Sequence, residues 1–581
     1  MPRLYQFTHE TQEVIAFPEP VGYNAPVNEV VGEKSALDFF PANRTPRPEQ
    51  IQAIQAVEKH FDLGAKVVAL QAPTGSGKSF CAMSFANKLR AANQRTHLIT
   101  VQKNLMDQYS SNFKSPELEP VKGRSNYSCS FDKDDPRDAS NGYCRRVGKA
   151  GILQECLKFG TLEQAQKLLL PPEAHSCDYW AQVSRAAQSP VAMFNFHSFL
   201  YQQRLNRFGP RDLLILDECH NTEQVLLQFV QVVLSDRILR KINIELDLGI
   251  KTAEGLVQWL ERERIIPKIL EALGDSASGE AVADDLTPQD TDRLRNLLDR
   301  LGDLQKYMQL TEWVIDVTEE FDEEDPTDKT RKLRARPVFV GLFAKELIFS
   351  KATRTIAMSA TILSHKIWAK NLGIRQADLG YSEIPCSFPV QNRPLILEYA
   401  GDMSWKNLDE TLPKTYATIQ RILERHKGQR GIIHGHSERL CKLILENVRS
   451  PRFLHLDMFT MRNKSELLKK HAERPDSVIV ASAMHEGVDL IDDLARFQII
   501  AKIPWPSIQD PLVKARMAVD GSFLAYQTAL KITQASGRIV RHKNDHGITY
   551  ITDLGFEKFL SRSGWLLPKW FTEAIQRKTS P

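Results

Sequence analysis

A glycine-rich loop between an apolar run and a helical pattern is the feature that most limits how this chain can fold. The apolar run Lys66–Gln71 leads into Ala72–Ser79, which reads Ala-Pro-Thr-Gly-Ser-Gly-Lys-Ser. This is the spacing of a phosphate-binding loop, with alanine in the place of its first glycine. Such a loop stands between a buried strand and a helix, so it predicts an α/β fold built on a parallel sheet.

The loop carries the residue types that phosphate binding needs. Gly75 and Gly77 let backbone N–H groups close around phosphate oxygens, and the following helix N-terminus adds a favourable dipole. Lys78 would neutralise the β- and γ-phosphates, and Ser79 would ligate Mg²⁺. A chance glycine-rich turn is the alternative, but the strand–loop–helix context argues against it. The nucleotide-contacting residues expected in this loop are Ala72, Thr74, Gly75, Ser76, Gly77, Lys78 and Ser79.

Two adjacent acids end a second apolar run. Asp217 and Glu218 follow Leu213–Leu216 and open the sequence Asp-Glu-Cys-His. A carboxylate at the carboxyl end of a strand faces the ligand crevice of an open α/β sheet. Asp217 can hold Mg²⁺, and Glu218 can orient and deprotonate an attacking water. Two acids after a strand often only cap a helix, but beside a phosphate loop they favour a catalytic site.

A basic segment near the C-terminus completes the candidate catalytic set. It runs from Gln534 to Arg541, and Arg538 and Arg541 are three residues apart, which would place them on one helix face. Such a pair can reach a γ-phosphate from a second lobe and stabilise transition-state charge, with Gln534 beside it. A basic helix end at the surface is the alternative, and the phosphate loop makes the catalytic interpretation the better one.

Short β-branched runs recur along the chain in two series. Near-continuous apolar runs of this kind fit parallel strands buried on both faces, so the two series predict two α/β lobes. The first series is Lys66–Gln71, Thr96–Thr100, Pro190–Asn195, Asp212–Asp217 and Arg354–Ser359. The second is Arg393–Glu398, Arg430–His434, Ser477–Ser482, Phe497–Ile503 and Gly547–Asp553.

The first lobe is interrupted twice. Residues 121–180 contain a cluster of cysteines without the tight Cys-x-x-Cys pairs of simple zinc or ferredoxin motifs, so buried thiols and a zinc site stay open. Residues 222–345 are predicted to be helical, because apolar residues recur there at helix spacing. The four clustered cysteines are Cys129, Cys144, Cys156 and Cys177. The apolar helix positions are Leu294, Leu297, Leu298, Leu301, Leu304 and Met308.

Composition excludes few partners. The net charge of +4 over 581 residues is compatible with a nucleic-acid partner but does not demand one. The N-terminus shows no secretory signal and the chain shows no apolar run long enough to span a membrane, so no membrane partner is expected. Eight cysteines in a chain of this length do not suggest a secreted disulfide scaffold, and a reducing cytoplasmic location is the expectation.

These motifs, in this order, resemble superfamily 2 helicases, and further segments narrow the resemblance to the XPD/DinG family of iron–sulfur helicases. The segment from Lys122 to Cys129 (Lys-Gly-Arg-Ser-Asn-Tyr-Ser-Cys) resembles the start of that family's cluster domain, and Cys177 to Trp180 resembles its end. The remaining matching segments are Arg47–Gln50, Ser359–Ile362, Ser387–Pro389, Glu486–Leu490 and Gln534–Arg541.

The resemblance implies two RecA-like lobes that use ATP and Mg²⁺. It implies a 4Fe–4S cluster bound by the four clustered cysteines, adenine contact by Gln50, and nucleotide contacts by Gly487 and Asp489. It also implies a monomeric motor that moves 5′ to 3′ on single-stranded DNA and acts at single/double-strand junctions. The third place of the Asp-Glu-Cys-His motif departs from the alanine usual in the family, and the helical insertion looks short.

The resemblance also implies domain boundaries. They are an N-terminal arm at 1–45, lobe 1 at 46–120, 181–221 and 346–385, an iron–sulfur domain at 121–180, a helical arch at 222–345, and lobe 2 at 386–581.

Nucleic-acid contacts and the exact activity stay open. Arg124, Tyr127, Arg145 and Arg146 combine stacking and phosphate-binding side chains, although a solvated basic surface fits them equally well. An ATP-dependent DNA helicase is the leading interpretation. A single-strand translocase or RNA-acting motor without duplex opening is the second, and a nucleotide-switched clamp is the third.

Overall fold

The computed structural model describes residues 34–42, 44–101, 103–113, 117–128, 178–204, 208–273, 286–321, 329–456, 464–482 and 490–577. Its strands are β1 (Val67–Gln71), β2 (Thr96–Thr100), β3 (Leu118–Val121), β4 (Val191–Asn195), β5 (Arg211–Asp217), β6 (Val232–Ser235), β7 (Trp313–Phe321), β8 (Lys329–Pro337), β9 (Ala352–Ser359), β10 (Leu379–Glu383), β11 (Leu395–Gly401), β12 (Gly431–His434), β13 (Phe453–Leu456), β14 (Val478–Ala481), β15 (Phe497–Ile500), β16 (Ile548–Asp553) and β17 (Ile575–Arg577).

The α-helices of the same residues alternate with most of these strands. They are α1 (Pro48–Asp62), α2 (Lys78–Ala91), α3 (Lys103–Asn112), α4 (Asp178–Gln188), α5 (Phe196–Arg204), α6 (Thr222–Val230), α7 (Asp236–Arg240), α8 (Ala253–Arg262), α9 (Ile265–Ala272), α10 (Pro288–Tyr307), α11 (Gly341–Leu347), α12 (His365–Asn371), α13 (Leu408–Arg425), α14 (Glu438–Asn447), α15 (Lys464–Glu473), α16 (Pro511–Val519), α17 (Phe523–Ser536), α18 (Gly555–Ser563) and α19 (Lys569–Thr572).

Two seven-stranded sheets form the cores of the two predicted lobes. The first has the order β10-β1-β9-β5-β2-β4-β3 and the second the order β13-β14-β12-β15-β16-β11-β17. Strand β5 pairs in parallel with β9 and β2, and β12 pairs in parallel with β14 and β15. Every residue of β1, β2 and β14 is buried, because helices cover both faces of such a sheet. The predicted class, two RecA-like α/β lobes, is confirmed.

Each of the ten predicted apolar runs overlaps a strand, but several other strands escaped prediction. Strand β10 reads Leu-Gly-Tyr-Ser-Glu and β17 reads Ile-Gln-Arg, so neither offers a continuous apolar run. Strand β3 reads Leu-Glu-Pro-Val and β13 reads Phe-Leu-His-Leu, so polar residues or proline interrupt both runs. All four extend or edge a sheet whose centre the apolar runs had indicated.

The interval 222–345 is not purely helical, which corrects the sequence prediction. Besides α6–α10 it contains an antiparallel sheet of order β6-β8-β7. Strand β8 buries Leu333 and Ala335, but a charged residue stands on either side of each of them, so no apolar run marks the strand. The predicted leucine repeat does form a helix, α10, which begins at a capping box made by Thr287 and Asp290.

Contacts divide the described residues into two compact units. The second unit consists of Leu70–Lys78, Ser359–His365 and the described residues from Ser382 onward, and the first unit holds the rest. The phosphate loop from Ala72 to Lys78 therefore belongs to the second unit, whereas Ser79 and Asp217 belong to the first. Every helix in the described ranges is too short or too polar to span a bilayer.

Candidate nucleotide site

The phosphate loop has the backbone that its sequence predicts. It leaves the buried strand β1, and α2 begins at Lys78. Gly75 and Gly77 have φ of 77° and 84°, a region that suits glycine. The buried Lys78 ammonium donates to the carbonyl oxygens of Ala72 at 3.1 Å and Pro73 at 3.5 Å, so the loop's own backbone orients this lysine.

One polar atom of the loop is left without a partner. The hydroxyl oxygen of Ser76 is buried and has no hydrogen-bond partner among the described residues. A buried hydroxyl without a partner is costly, and a phosphate oxygen would satisfy it. Together with the two left-handed glycines and Lys78, this hydroxyl makes the loop fit a nucleotide phosphate.

Within the second unit, Gly75 lies against the segment that carries the predicted arginines. A β-carbon at Gly75 would lie 2.3 Å from the carbonyl oxygen of Arg541 and 3.0 Å from the Phe388 ring. No side chain fits in that space. The structure thus brings the phosphate loop together with Arg541 and with the predicted segment Ser387–Pro389.

The sequence predicts that Arg538 and Arg541 share one helix face, and the structure shows that they do not. Helix α17 contains Gln534 but ends at Ser536, and Gly537 forms its C-cap. Ile539 and Val540 then turn into an apolar cluster with Ile432 and Leu490. Glycine at the helix end and burial of these β-branched side chains stop the helix, so Arg538 and Arg541 lie on the following loop.

The predicted segment Ser359–Ile362 is hydrogen-bonded to the base of the phosphate loop. Within the second unit, the Ala72 N–H donates to the Ser359 carbonyl at 2.9 Å, and the Leu363 N–H donates to Gln71 Oε1 at 2.6 Å. The Tyr526 hydroxyl on α17 donates to the Ile362 carbonyl at 3.0 Å. This segment therefore links the start of the loop to the helix that contains Gln534.

The predicted acid pair lies at the carboxyl end of β5, where the backbone turns sharply. Asp217 ends the strand, and Glu218 has φ 55° and ψ 47°, the left-handed region. A non-glycine residue pays about 1 kcal/mol or more to stay there, and such strain gathers at functional sites. The turn is held from within, since His220 Nδ1 lies 3.3 Å from Glu218 Oε2.

Side chains from neighbouring helices also stabilise this turn, through contacts that the sequence did not predict. The Trp368 indole N–H on α12 donates to the Cys219 carbonyl at 3.1 Å, and the Asn371 amide donates to Glu223 at 2.8 Å. The Tyr109 hydroxyl on α3 donates to Asp217 Oδ2 at 3.1 Å. No spacing or motif singles out Tyr109 or Trp368, because both lie in ordinary helix patterns far from Asp217 along the chain.

Gln50 lies at the start of α1, where it caps the helix. Its side-chain oxygen accepts a hydrogen bond from the Arg47 N–H at 2.9 Å, and the residue is buried. The structure therefore gives Gln50 a definite local role, while the predicted adenine contact stays a prediction.

The candidate nucleic-acid residues Arg124 and Tyr127 lie just before residues 129–177 in the chain, and Tyr179 and Trp180 lie just after them. The Arg124 guanidinium lies over the Tyr179 and Trp180 rings, 4.7 Å and 5.3 Å from their centroids. Tyr127 packs edge-on against Tyr179 at 5.8 Å, and burial raises its pKa to about 12. We call these four side chains the neck cluster. Because these four side chains pack on one another, the structure shows a packing role for them, and the predicted nucleic-acid contacts stay a prediction.

Several predicted site residues lie outside the described residues. These are Cys129, Cys144, Arg145, Arg146, Cys156, Cys177, Gly487 and Asp489.

Two family models match the chain. The family model described as Helicase C-terminal domain matches residues 419–574, and the model described as Type III restriction enzyme, res subunit matches residues 43–243. The ATP-dependent DNA helicases YoaA of Escherichia coli and of Haemophilus influenzae are each 23% identical to this chain, over 87% of it and 91% of their own length.

A solved XPD helicase structure has the same fold. It superposes with a TM-score of 0.59 at 15% identity and covers 92% of this chain and 100% of its own. The relatives match along nearly the whole length, and the two sheets, the phosphate loop and the acid pair occur in the order that the motifs predicted. Together, the family models, the relatives and the shared fold support an XPD/DinG-like superfamily 2 helicase.

Proposed function

We propose that this protein is an ATP-dependent DNA helicase that moves along single-stranded DNA. The observation that carries the proposal is the phosphate loop, with two left-handed glycines, a buried Lys78 and a buried, unpartnered Ser76 hydroxyl. The helicase relatives named above support DNA as the substrate. They are ATP-dependent, which supports ATP as the fuel.

The proposed chemistry assigns one task to each residue. Lys78 binds the β- and γ-phosphates, and Glu218 accepts a proton from the attacking water. Ser79 and Asp217 hold Mg²⁺, which when bound neutralises charge on the phosphate oxygens. Arg538 and Arg541 stabilise the charge that develops on the transferred phosphoryl group.

The remaining parts of the proposal rest on family resemblance. They are 5′-to-3′ movement, action at single/double-strand junctions, a monomeric motor, and a 4Fe–4S cluster on Cys129, Cys144, Cys156 and Cys177. A reducing cytoplasmic location also stays a prediction.

Strand displacement tests the activity and its polarity together. Anaerobically purified protein would be given ATP and duplexes with either a 5′ or a 3′ single-stranded tail. We expect opening of the 5′-tailed duplex alone. Opening of only the 3′-tailed duplex would contradict the polarity.

A matched variant and a second assay separate the alternatives. Glu218→Gln should still bind ATP and single strands but lose strand displacement, because it lacks the base for hydrolysis. ATP hydrolysis stimulated by single strands, without opening of either duplex, would instead favour a translocase.

A further inference from the structure

The carboxylate of Asp217 is held by two hydrogen bonds on different oxygens. The buried Tyr109 hydroxyl donates to Oδ2 at 3.1 Å, and the Glu218 backbone N–H donates to Oδ1 at 3.1 Å. The second bond is local to the strand end. The first comes from α3, more than a hundred residues earlier in the chain, and it fixes the rotation of the carboxylate about its own axis.

The Tyr109 ring is itself fixed by a row of aromatic side chains in the first unit. Its centroid lies 5.8 Å from that of Phe113, which lies 4.9 Å from Phe80, which in turn lies 6.0 Å from Phe40. Phe80 directly follows Ser79 on α2. The row therefore ties the position of the Tyr109 hydroxyl to the helix that carries Ser79.

Chemistry supports a donor at this position. The ordinary pKa of a tyrosine hydroxyl is about 10, so this group carries its proton at neutral pH. A proton-bearing hydroxyl can donate to a carboxylate, and such a charge-assisted bond is stronger than a neutral one. In metal sites, the affinity for the ion commonly depends on groups that hydrogen-bond to the metal-binding side chains without contacting the ion themselves.

We propose that Tyr109 is a positioning residue for Mg²⁺ binding, because its hydroxyl orients the Asp217 carboxylate and its ring is fixed by Phe113 and Phe80. The inference rests on the proposed function, in which Asp217 is a Mg²⁺ ligand. It adds a residue that no motif indicates, and it makes the affinity for Mg²⁺ depend on helix α3.

The test is Tyr109→Phe, which removes the hydroxyl and keeps the ring in the row. Binding of a fluorescent ADP analogue is measured in EDTA and over a Mg²⁺ titration. We expect the Mg²⁺ concentration at half-effect to rise about tenfold or more, the typical size for one lost hydrogen bond to a charged group that orients a metal ligand. Nucleotide affinity in EDTA, where no Mg²⁺ takes part, should stay near wild type.

Tyr550→Phe is the matched control. Tyr550 is also buried and its hydroxyl is bonded to His426 at 2.9 Å, but it lies on β16 of the second sheet. This variant should leave the Mg²⁺ titration unchanged. A similar shift in both variants would overturn the proposal, because it would reflect general destabilisation.

Asp217→Asn separates failure of this inference from failure of the proposed function. If Asp217→Asn changes the Mg²⁺ titration and Tyr109→Phe does not, Tyr109 has no positioning role. If neither changes it, the assignment of Asp217 as a Mg²⁺ ligand fails first. In the double variant we expect no further shift beyond that of Asp217→Asn, and additive shifts would show that Tyr109 does not act through Asp217.

Discussion

Two residues near the nucleotide site have the same left-handed backbone for different reasons. Gly75 has φ 77° and no room for a β-carbon, so the surrounding atoms require glycine. Glu218 has φ 55° although glutamate is strained there, so its side-chain chemistry outweighs the backbone cost. The sequence motifs indicated both residues. Only the structure shows that Gly75 is required because a β-carbon has no room, and that Glu218 has a strained backbone.

Gly75→Ala should abolish nucleotide binding, because its β-carbon would meet the Arg541 carbonyl at 2.3 Å. Gly64→Ala is the matched control, since Gly64 has φ 88° but no atom within 4 Å of the added carbon. The control should lose about 1 kcal/mol of stability from backbone strain and keep its ATPase. Titration with a fluorescent ADP analogue and thermal melts measure the two effects, and normal binding by Gly75→Ala would contradict the steric argument.

Lys78→Ala should abolish ATP hydrolysis stimulated by single-stranded DNA, because no other residue of the loop supplies a positive charge to the phosphates. Lys88→Ala removes a lysine from the same helix, where its ammonium pairs with Glu58 at 3.2 Å. That control should hydrolyse ATP at close to the wild-type rate. Residual turnover near wild type in Lys78→Ala would remove the phosphate-loop assignment.

His434 gives the second sheet a predictable response to pH. It is buried at the end of β12, and this burial is the main reason why its pKa falls from 6.5 to about 4. The hydrogen bond to Gln498 raises the pKa in part, and the smaller effect of the Arg538 charge lowers it again. A base whose pKa is depressed by folding costs stability as pH falls from about 6.5 through about 4. Between pH 7.5 and pH 5 the wild type should therefore lose about 1–2 kcal/mol more than His434→Gln. Chemical denaturation at the two pH values measures this, and equal losses would be inconsistent with a neutral buried imidazole.

At the scale of the element, continuous burial decided what the sequence could predict. Strands β1 and β14 are buried along their whole length, so their apolar runs were recognisable. In strand β8, charged residues, among them the buried Arg336, separate the apolar ones, so the strand was missed. Helix α17 was predicted to continue through Arg541, but it ends at Ser536, followed by Gly537 and the buried Ile539. Helix periodicity alone does not reveal such an end.

The hairpin of β7 and β8 depends on one carboxylate between two arginines. Asp316 Oδ2 accepts from Arg334 at 2.8 Å and Oδ1 accepts from Arg336 at 2.8 Å, and Asp316 and Arg336 are almost fully buried. Asp316→Asn removes the negative charge that pairs with both guanidinium groups, and we expect it to cost about 3 kcal/mol. Limited proteolysis and thermal melts should show early loss of this sheet.

Glu319→Gln is the control on the same strand. Glu319 pairs with Lys329 at 3.1 Å, but both side chains are about half exposed. Because water screens an exposed pair, the change should cost less than about 0.5 kcal/mol. Equal sensitivity of the two variants to protease would mean that Asp316 does not stabilise the hairpin.

At the scale of the whole molecule, motifs separated by hundreds of residues meet in ways that spacing alone does not show. Gly75 and Arg541 are far apart in sequence, yet the loop and the arginine segment touch within the second unit. In the neck cluster, side chains that precede residue 128 likewise contact side chains that follow residue 178, within the first unit. The order of the motifs predicted which segments form the candidate site, and packing determined which of those segments touch.

The closed neck cluster predicts that the ATPase survives loss of the cysteine site. Arg124 and Tyr127 pack directly on Tyr179 and Trp180, so we expect the first sheet to stay folded when the cysteine site is lost. Cys129→Ser should therefore lose visible 4Fe–4S absorbance and strand displacement while basal ATP hydrolysis stays largely intact. Cys386→Ser, at a free cysteine of intermediate exposure, should keep all three. Unchanged absorbance in Cys129→Ser would show that Cys129 is not a required ligand, and loss of basal ATPase along with absorbance would show that the lobe depends on the cluster after all.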